Sequence, residues 1–349
     1  MHQKVFLVPD NNLTLPRCQA HSVELAAGVN LTIAPRLVVS WEDFIGAAPP
    51  FSIALDGYVK GIPKIDLQGP YRNFNHHEDI DPSTTLSTCG QVFMALKIGL
   101  KERFQINGQA QFNLFVNDFD QDCCTSTWLL KNHERISVSN GDYRIHRLVG
   151  GVDKLDMTQG TYRFEDRFLN EMAWIYYPYL ALRYAAPAMS GEDQWKAMEE
   201  VHKRIDLYVE GNGKEYHLNG KHYEILGGGE GWAMISELGP YAKAHLAHDT
   251  GVSTFVTLIS EVAGRFHYSI CKRSEYTMTP LLEFFAYLNE LEGIDSPDRW
   301  DGRANGGGSP RLLGSKYSPI EFINIFNGFL ERYKNGEAGK IKSNNQPKI

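Results

Sequence analysis

No apolar run in this 349-residue chain comes near the roughly 20 residues that a membrane-spanning helix needs. The first residues also lack the basic and apolar regions of a secretory leader, so the expectation is a soluble, unprocessed protein. Cysteine is scarce: Cys18, Cys89, Cys123, Cys124 and Cys271 are odd in number and show no CxxC spacing. That pattern argues against a disulfide framework or a structural zinc site and favours a reducing, cytoplasmic setting. An excess of positive charge is missing too. With 35 Lys and Arg against 42 Asp and Glu, the formal charge is -7. Long duplex nucleic acid, which calls for a basic face, is therefore excluded as a partner, whereas a short nucleotide in a local basic pocket is not. Hydrophobic residues at 42% and charged residues at 22% are ordinary for a globular protein. At roughly 150 residues per domain, the length fits about two domains.

Two polar stretches stand out, Asn75-His76-His77-Glu78 and Asp118-Phe119-Asp120-Gln121-Asp122. Imidazole nitrogens beside alternating carboxylates suit a pair of divalent cations such as Mn²⁺, Fe²⁺ or Zn²⁺, so the chain reads as a dinuclear metal hydrolase. The surrounding pattern supports this. Residues Phe51 to Leu55 read as a buried strand ending at Asp56-Gly57, and Phe112 to Val116 as another ending at Asn117-Asp118. Helices are expected from Gln91 to Lys97, with Ser87 or Thr88 as N-cap, and from Thr125 to Leu130. Strand, acidic loop and helix thus recur, and ligands of open α/β sheets bind at the carboxyl ends of strands.

Elsewhere the signals are coarser. Residues 161–206 read as helical, with an aromatic stretch from Trp174 serving as packing, and Glu210 to Lys221 as a linker or hairpin. Phe255 to Ile259 and Phe266 to Ile270 look like strands joined at Ala263-Gly264. Helices from Leu281 to Leu291 and from Pro319 to Tyr333 bracket a glycine-rich loop, Asn305 to Arg311. Residues 1–50, including the apolar run Lys4 to Val8, give only fragments, and the tail from Asn335 reads as disordered.

Taken together, the motifs resemble the DHH phosphoesterase superfamily. His76-His77 followed by Ser87-Thr88-Cys89 is similar to its Asp-His-His and Ser-Thr-Ala pattern, and Asp118 to Thr127 to the DxDxDGxTST run of RecJ-like members. Ser269 to Ser274 and Gly306 to Arg311 look like the strand and GGGHPxAxG loop of the DHH-associated domain. The order of the first two motifs is reversed, as in a permuted member. Asn75 stands where the family has aspartate, Ser309 where it has histidine, and no histidine precedes Asp118.

The resemblance implies two α/β domains facing each other across a cleft. The first would be a mainly parallel sheet with flanking helices over 1–160, followed by a helical connector over 161–220. A smaller α/β substrate domain would span 221–334, with a tail over 335–349. It implies two Mn²⁺ ions, with Mg²⁺, Fe²⁺ or Zn²⁺ as alternatives. Asp118 and Asp120 would divide between the metals, with His76 on the second and Asp56 as the bridge, Asp66 being the rival. Asp122 and Asp153 are further candidate ligands, with Asp156 close behind Asp153. His77 and Asp120 are the expected catalytic residues. Gly306, Gly307, Gly308, Ser309, Arg311 and Arg273 would bind substrate. The activity implied is attack by metal-bound hydroxide on a small phosphate ester: a short oligonucleotide, a cyclic dinucleotide or a nucleotide. A homo-oligomer is compatible with it. The departures at Asn75 and before Asp118 motivate an alternative, a catalytically weakened nucleotide-binding or scaffold protein of the same fold.

Overall fold

The computed structural model describes residues 19–66, 68–81, 84–138, 142–183 and 189–336, so the apolar run at 4–8 and the tail from 337 lie outside the described residues. Within these, the chain is mixed α/β, with eleven helices and three sheets. It divides into two compact units, 1–157 with 170–215 and 158–169 with 216–349.

In chain order the first unit contains strands β1 (His21–Ala26) and β2 (Val29–Ile33), helix α1 (Trp41–Ala47), and strands β3 (Ser52–Leu55), β4 (Lys64–Asp66) and β5 (Tyr71–Phe74). Helices α2 (Thr88–Lys97) and α3 (Leu100–Arg103) follow, then a small hairpin of β6 (Gln105–Ile106) and β7 (Gln109–Ala110), and β8 (Phe112–Val116). Helices α4 (Gln121–Lys131), α5 (His133–Val138) and α6 (Tyr143–Met157) complete the run. The six-stranded sheet has the order β1-β2-β8-β3-β5-β4, in which β2, β8, β3 and β5 are parallel and the outer strands pair antiparallel.

All four residues of β3 are buried, and three are apolar, as in central parallel strands; the exception, Ser52, donates to the Pro49 carbonyl at 2.6 Å. One face carries Ala54, Phe115, Tyr58 and Val59 against Phe44 of α1, with the Phe44 and Phe115 rings edge to face at 5.6 Å. By strand alternation, Ile53, Leu55, Leu114 and Val116 point the other way, and all four are buried. Helix α4 packs against β8 and β2, and α2, α4 and α6 pack on one another.

Two more helices, α7 (Asp166–Leu180) and α8 (Gly191–Val209), occupy the stretch expected as a connector. The unit boundary falls inside α7, and α8 belongs to the first unit, lying against β1, β2 and α4. Gly191 permits this approach: a Cβ there would meet the Ile33 carbonyl oxygen at 2.7 Å and the His21 nitrogen at 2.8 Å. The region after α8 is irregular, with no hairpin over 210–221.

The second unit holds β9 (Tyr223–Gly229), β10 (Trp232–Glu237), α9 (Ala242–Thr250), β11 (Thr254–Val262), β12 (Arg265–Lys272), α10 (Leu281–Glu292), β13 (Asp301–Gly302), β14 (Gly306–Gly308) and α11 (Pro319–Lys334). Its sheet runs β13-β14-β12-β11-β10-β9, with only β10 and β11 parallel. Alternation sorts β10 cleanly: Trp232 and Met234 join the aromatic core with Phe284, Phe322 and Phe326, while Ala233 and Ile235 pack with Ala242 and Leu246 of α9. Both residues of the β11–β12 turn, Ala263 and Gly264, have positive φ (50° and 73°), as a tight hairpin of this hand requires.

Two local expectations are corrected. Helix α4 begins at Gln121 and not at Thr125, because the Asp120 carboxylate accepts the Cys123 N–H at 2.8 Å and caps the helix there. Gly306 to Gly308 form a strand and not a loop. Two of the three have no room for a side chain: a Cβ on Gly308 would meet the Tyr268 carbonyl oxygen at 2.6 Å, and one on Gly307 the Asp301 carbonyl oxygen at 2.3 Å.

Candidate metal centre

Strands β8, β3 and β5 are parallel neighbours, so their carboxyl ends emerge side by side. The sequence places Asp118 and Asp120 after the first, Asp56 after the second, and His76 and His77 after the third. The middle strand therefore supplies the shared group. Asp56 Oδ1 lies 2.7 Å from His77 Nε2 and 3.2 Å from His76 Nε2, while Oδ2 is 3.5 Å from the Cys123 Sγ. His76 Nε2 is also 3.0 Å from Asp156 Oδ2 and 3.5 Å from Asp122 Oδ2. Among the described residues three groups converge to within 4.8 Å, namely Asp56 with His76 and His77, Asp56 with Asp120 and Cys123, and His76 with Asp122 and Asp156.

The Cys123 thiol donates to Asp56 Oδ2, yet two of these atoms stay unsatisfied. His76 Nε2 and Asp156 Oδ2 are buried and make no hydrogen bond, although each has the other 3.0 Å away. His76 Nε2, Asp122 and Asp156 nevertheless bring ligand atoms within 4.8 Å of one another, close enough to share one cation. Electrostatics agree. Burial and the charges of Asp56, Asp118, Asp156 and Asp122 hold the Asp120 carboxyl well above its usual range. Burial, Asp56 and Asp156 push Asp122 up to about 8. Burial would also raise Asp56, but the facing His77 and His76 outweigh it and keep Asp56 well below the usual range. Burial works against an imidazolium at His76, yet Asp156 and Asp56 prevail and push it up to about 12. The pocket thus crowds carboxyl groups until burial and mutual repulsion disfavour the charged forms of Asp120 and Asp122, and its N and O donors fit divalent cations.

Neighbouring groups fix the geometry. Asp56 and Gly57 both have positive φ, 50° and 80°, closing a turn in which the Tyr58 N–H meets the Leu55 carbonyl at 3.2 Å. A Cβ on Gly57 would come within 2.9 Å of His77 Cδ2, so glycine is needed for both backbone and space. Asn117 Nδ2 ties the turn down by donating to the Gly57 carbonyl at 3.1 Å. Thr88 Oγ1 donates to Asp56 Oδ1 at 3.2 Å. Asn75 does not reach the cluster. Its amide donates to the Gly61 and Val59 carbonyls at 2.7 and 3.3 Å, and its oxygen accepts the N–H groups of His76 and His77 at 2.8 and 3.2 Å. An aspartate could not supply those donors.

Carboxylates also cap α2 at its amino end. Asp122 accepts the N–H groups of Thr88 and Cys89 at 2.7 and 2.6 Å, and Asp153 accepts that of Ser87 at 2.7 Å. Asp122 is therefore both a cap and a neighbour of His76. Asp153 and Asp156 share one face of α6 three residues apart, a spacing that cannot reveal which one turns inward. Asp153 holds the α2 backbone and lies outside the converging groups, which take Asp156. Cys123, expected only as packing, faces Asp56. The signal for it lay in its position three residues after the capping Asp120, on the first turn of α4.

Other expected residues are not among the three converging groups. Asp118 accepts the Phe119 N–H at 2.7 Å and lies outside the three groups, although its charge is felt at Asp120. Asp66 sits on edge strand β4, its carboxylate accepting the Gln68 N–H at 2.8 Å. In the second unit, Gly306, Gly307 and Gly308 are held in the sheet, and Ser309 Oγ accepts the Tyr268 N–H at 2.9 Å. The backbone N–H groups that do gather on an anion there belong to Arg311, Leu312 and Leu313, and they already hold the Asp298 carboxylate. The Arg311 and Arg273 residues are exposed. No family model matches the chain and no curated protein matches it, so the likeness to DHH phosphoesterases rests on the motifs alone.

Proposed function

We propose that this protein is a divalent-metal-dependent phosphoesterase acting on a small phosphate ester or phosphodiester. The observation that carries the metal half of this reading is Asp56, one carboxylate oxygen facing two imidazoles and the other facing the first turn of α4. A carboxylate so placed can bridge two cations and offset their mutual repulsion. His76, Asp122 and Asp156 would hold one cation with Asp56, and Asp120 would hold the other. When bound, such a pair supplies Lewis acidity and brings the pKa of water down towards neutrality.

The chain's own groups then have defined work. Asp122 and Asp156 both face the Nε2 atom of His76, Asn75 orients the backbone that carries both histidines, and His77 can give a proton to a leaving oxygen. The phosphoester half rests on the resemblance of the His-His and alternating-aspartate motifs, and the substrate domain over 221–334 remains part of that proposal. The acidic chain favours small substrates over long nucleic acid.

The test is hydrolysis by metal-stripped protein with Mn²⁺, Fe²⁺ or Zn²⁺ restored in turn, across linear and cyclic dinucleotides, nucleoside phosphates and pyrophosphate, beside an Asp120→Ala control. Metal-dependent turnover that vanishes in the control is the expected result. Silence across the panel with metal bound would favour the alternative, a binding protein of this fold. Silence with no metal bound would remove the site.

A further inference from the structure

The two cation positions around Asp56 are chemically unlike, and the difference lies in Cys123. On the Oδ1 side the donors are imidazole and carboxylate. On the Oδ2 side Asp56, Asp120 and Cys123 present ligand atoms that all lie within 4.8 Å of one another. Resting on the metal-centre reading above, we infer that Cys123 is a thiolate ligand of the second cation, making that position selective for a borderline or soft metal such as Zn²⁺ or Fe²⁺ over Mn²⁺ or Mg²⁺.

Several observations support this. The Cys123 side chain is fully buried and its thiol donates to Asp56 Oδ2 at 3.5 Å, the oxygen that the two histidines leave to the α4 side, so a bound cation would take the place of that proton. The backbone of Cys123 is pinned, its N–H held at 2.8 Å by Asp120, so thiol and carboxylate are fixed on the same helical turn. Cys124, next in the chain, points elsewhere: its Sγ donates to the Phe119 carbonyl at 3.0 Å. An independent sign that this pocket takes a cation is the buried His76 Nε2, which is 7% exposed as a side chain and without a hydrogen bond among three carboxylates. Thiolate sulfur favours zinc, copper(I) and iron, whereas an all-oxygen set suits magnesium and manganese. Binding forms a sulfur–metal bond and breaks the S–H bond, the proton leaving to solvent, so metal uptake at this position releases a proton.

The full-length apoprotein titrated with Co²⁺ separates this inference from the reading beneath it. Visible d–d absorption reports that the centre binds a divalent cation at all, and near-ultraviolet sulfur-to-cobalt charge transfer reports a thiolate ligand. We expect both in the wild type. Cys123→Ser should lose the charge-transfer band and keep the d–d bands, while Cys124→Ser keeps both. Zn²⁺ affinity of the Cys123→Ser variant should fall by at least about 10-fold, the lower end of what even outer-shell losses cost. Zinc X-ray absorption on the wild type, which needs no variant to fold, should show a sulfur neighbour at about 2.3 Å. Cobalt bound with no charge-transfer band, or zinc with only nitrogen and oxygen neighbours, overturns the role of Cys123 and leaves the metal centre standing. A protein that binds no cobalt overturns both.

Discussion

The Asn75 side-chain oxygen accepts the backbone N–H of His76 at 2.8 Å, so the residue that replaces the aspartate of the resembled motif aims the histidine without touching its ring. Its amide is spent on the Val59 and Gly61 carbonyls. Asn75→Asp should therefore destabilise the protein by about 1–3 kcal/mol, because buried carbonyls lose their donors. Urea denaturation checks this. A variant with an unchanged midpoint, or with tighter metal binding, would show that aspartate is accepted as a ligand and that the amide does not matter.

Asp122 uses both oxygens on the amino end of α2, one on Thr88 and one on Cys89. Asparagine at this position would face one of those N–H groups with an NH₂ group. We expect Asp122→Asn to cost about 1–3 kcal/mol, seen as a lower melting temperature in metal-free buffer. Equal melting temperatures would mean that the cap contributes nothing.

His202 is another buried histidine, one that makes no hydrogen bond to the acidic cluster's side chains. Its Nε2 lies 3.1 Å from both the Cys124 carbonyl and Thr127 Oγ1, and burial, with Lys131 adding to it, pulls its pKa from 6.5 down to about 3. Between those values the unfolded chain binds a proton that the folded chain refuses. Stability contributed by the neutral ring is whole above 6.5 and is lost as pH falls towards 3. The slope should reach about 1.4 kcal/mol per pH unit. In denaturation series from pH 7 to 4, His202→Leu should lose this component and no other. Parallel curves for variant and wild type would contradict it.

In the second unit, Asp298 gathers the N–H groups of Arg311, Leu312 and Leu313 at 2.7 to 3.2 Å. Asp298→Ala should speed amide hydrogen exchange at these three positions while leaving the β11–β12 hairpin protected. Uniform acceleration throughout the unit would instead mark a global loss of stability.

Two of the six strands of the first sheet, β3 and β8, were legible in sequence because they end on polar residues, whereas β1, β2, β4 and β5 were not. Phe112 to Val116 forms β8 as read, and Asp56 and Asn117 mark where strands stop. Ser87 as N-cap and the hairpin at Ala263-Gly264 were legible for the same reason, since each depends on local chemistry. The pairing of Asp156 with His76 was not, because helical spacing alone cannot choose between Asp153 and Asp156. Cys123 looked apolar by type, and only the cap at Asp120 turns it towards Asp56. The glycines after Asn305 were misread as a loop because glycine marks close backbone approach as readily as it marks a turn.

Every residue of the acidic cluster lies between 56 and 156, yet the first unit is finished only by α8, after the chain has laid down residues 158–169 of the other unit. A ribosome therefore makes the acidic cluster well before it makes the helix that covers β1 and β2. Until Gly191 can seat against Ile33, the nascent sheet keeps part of its apolar surface bare, and a fragment ending near residue 157 would carry the cluster without a closed core. The order of synthesis thus puts the cluster first and its shelter last.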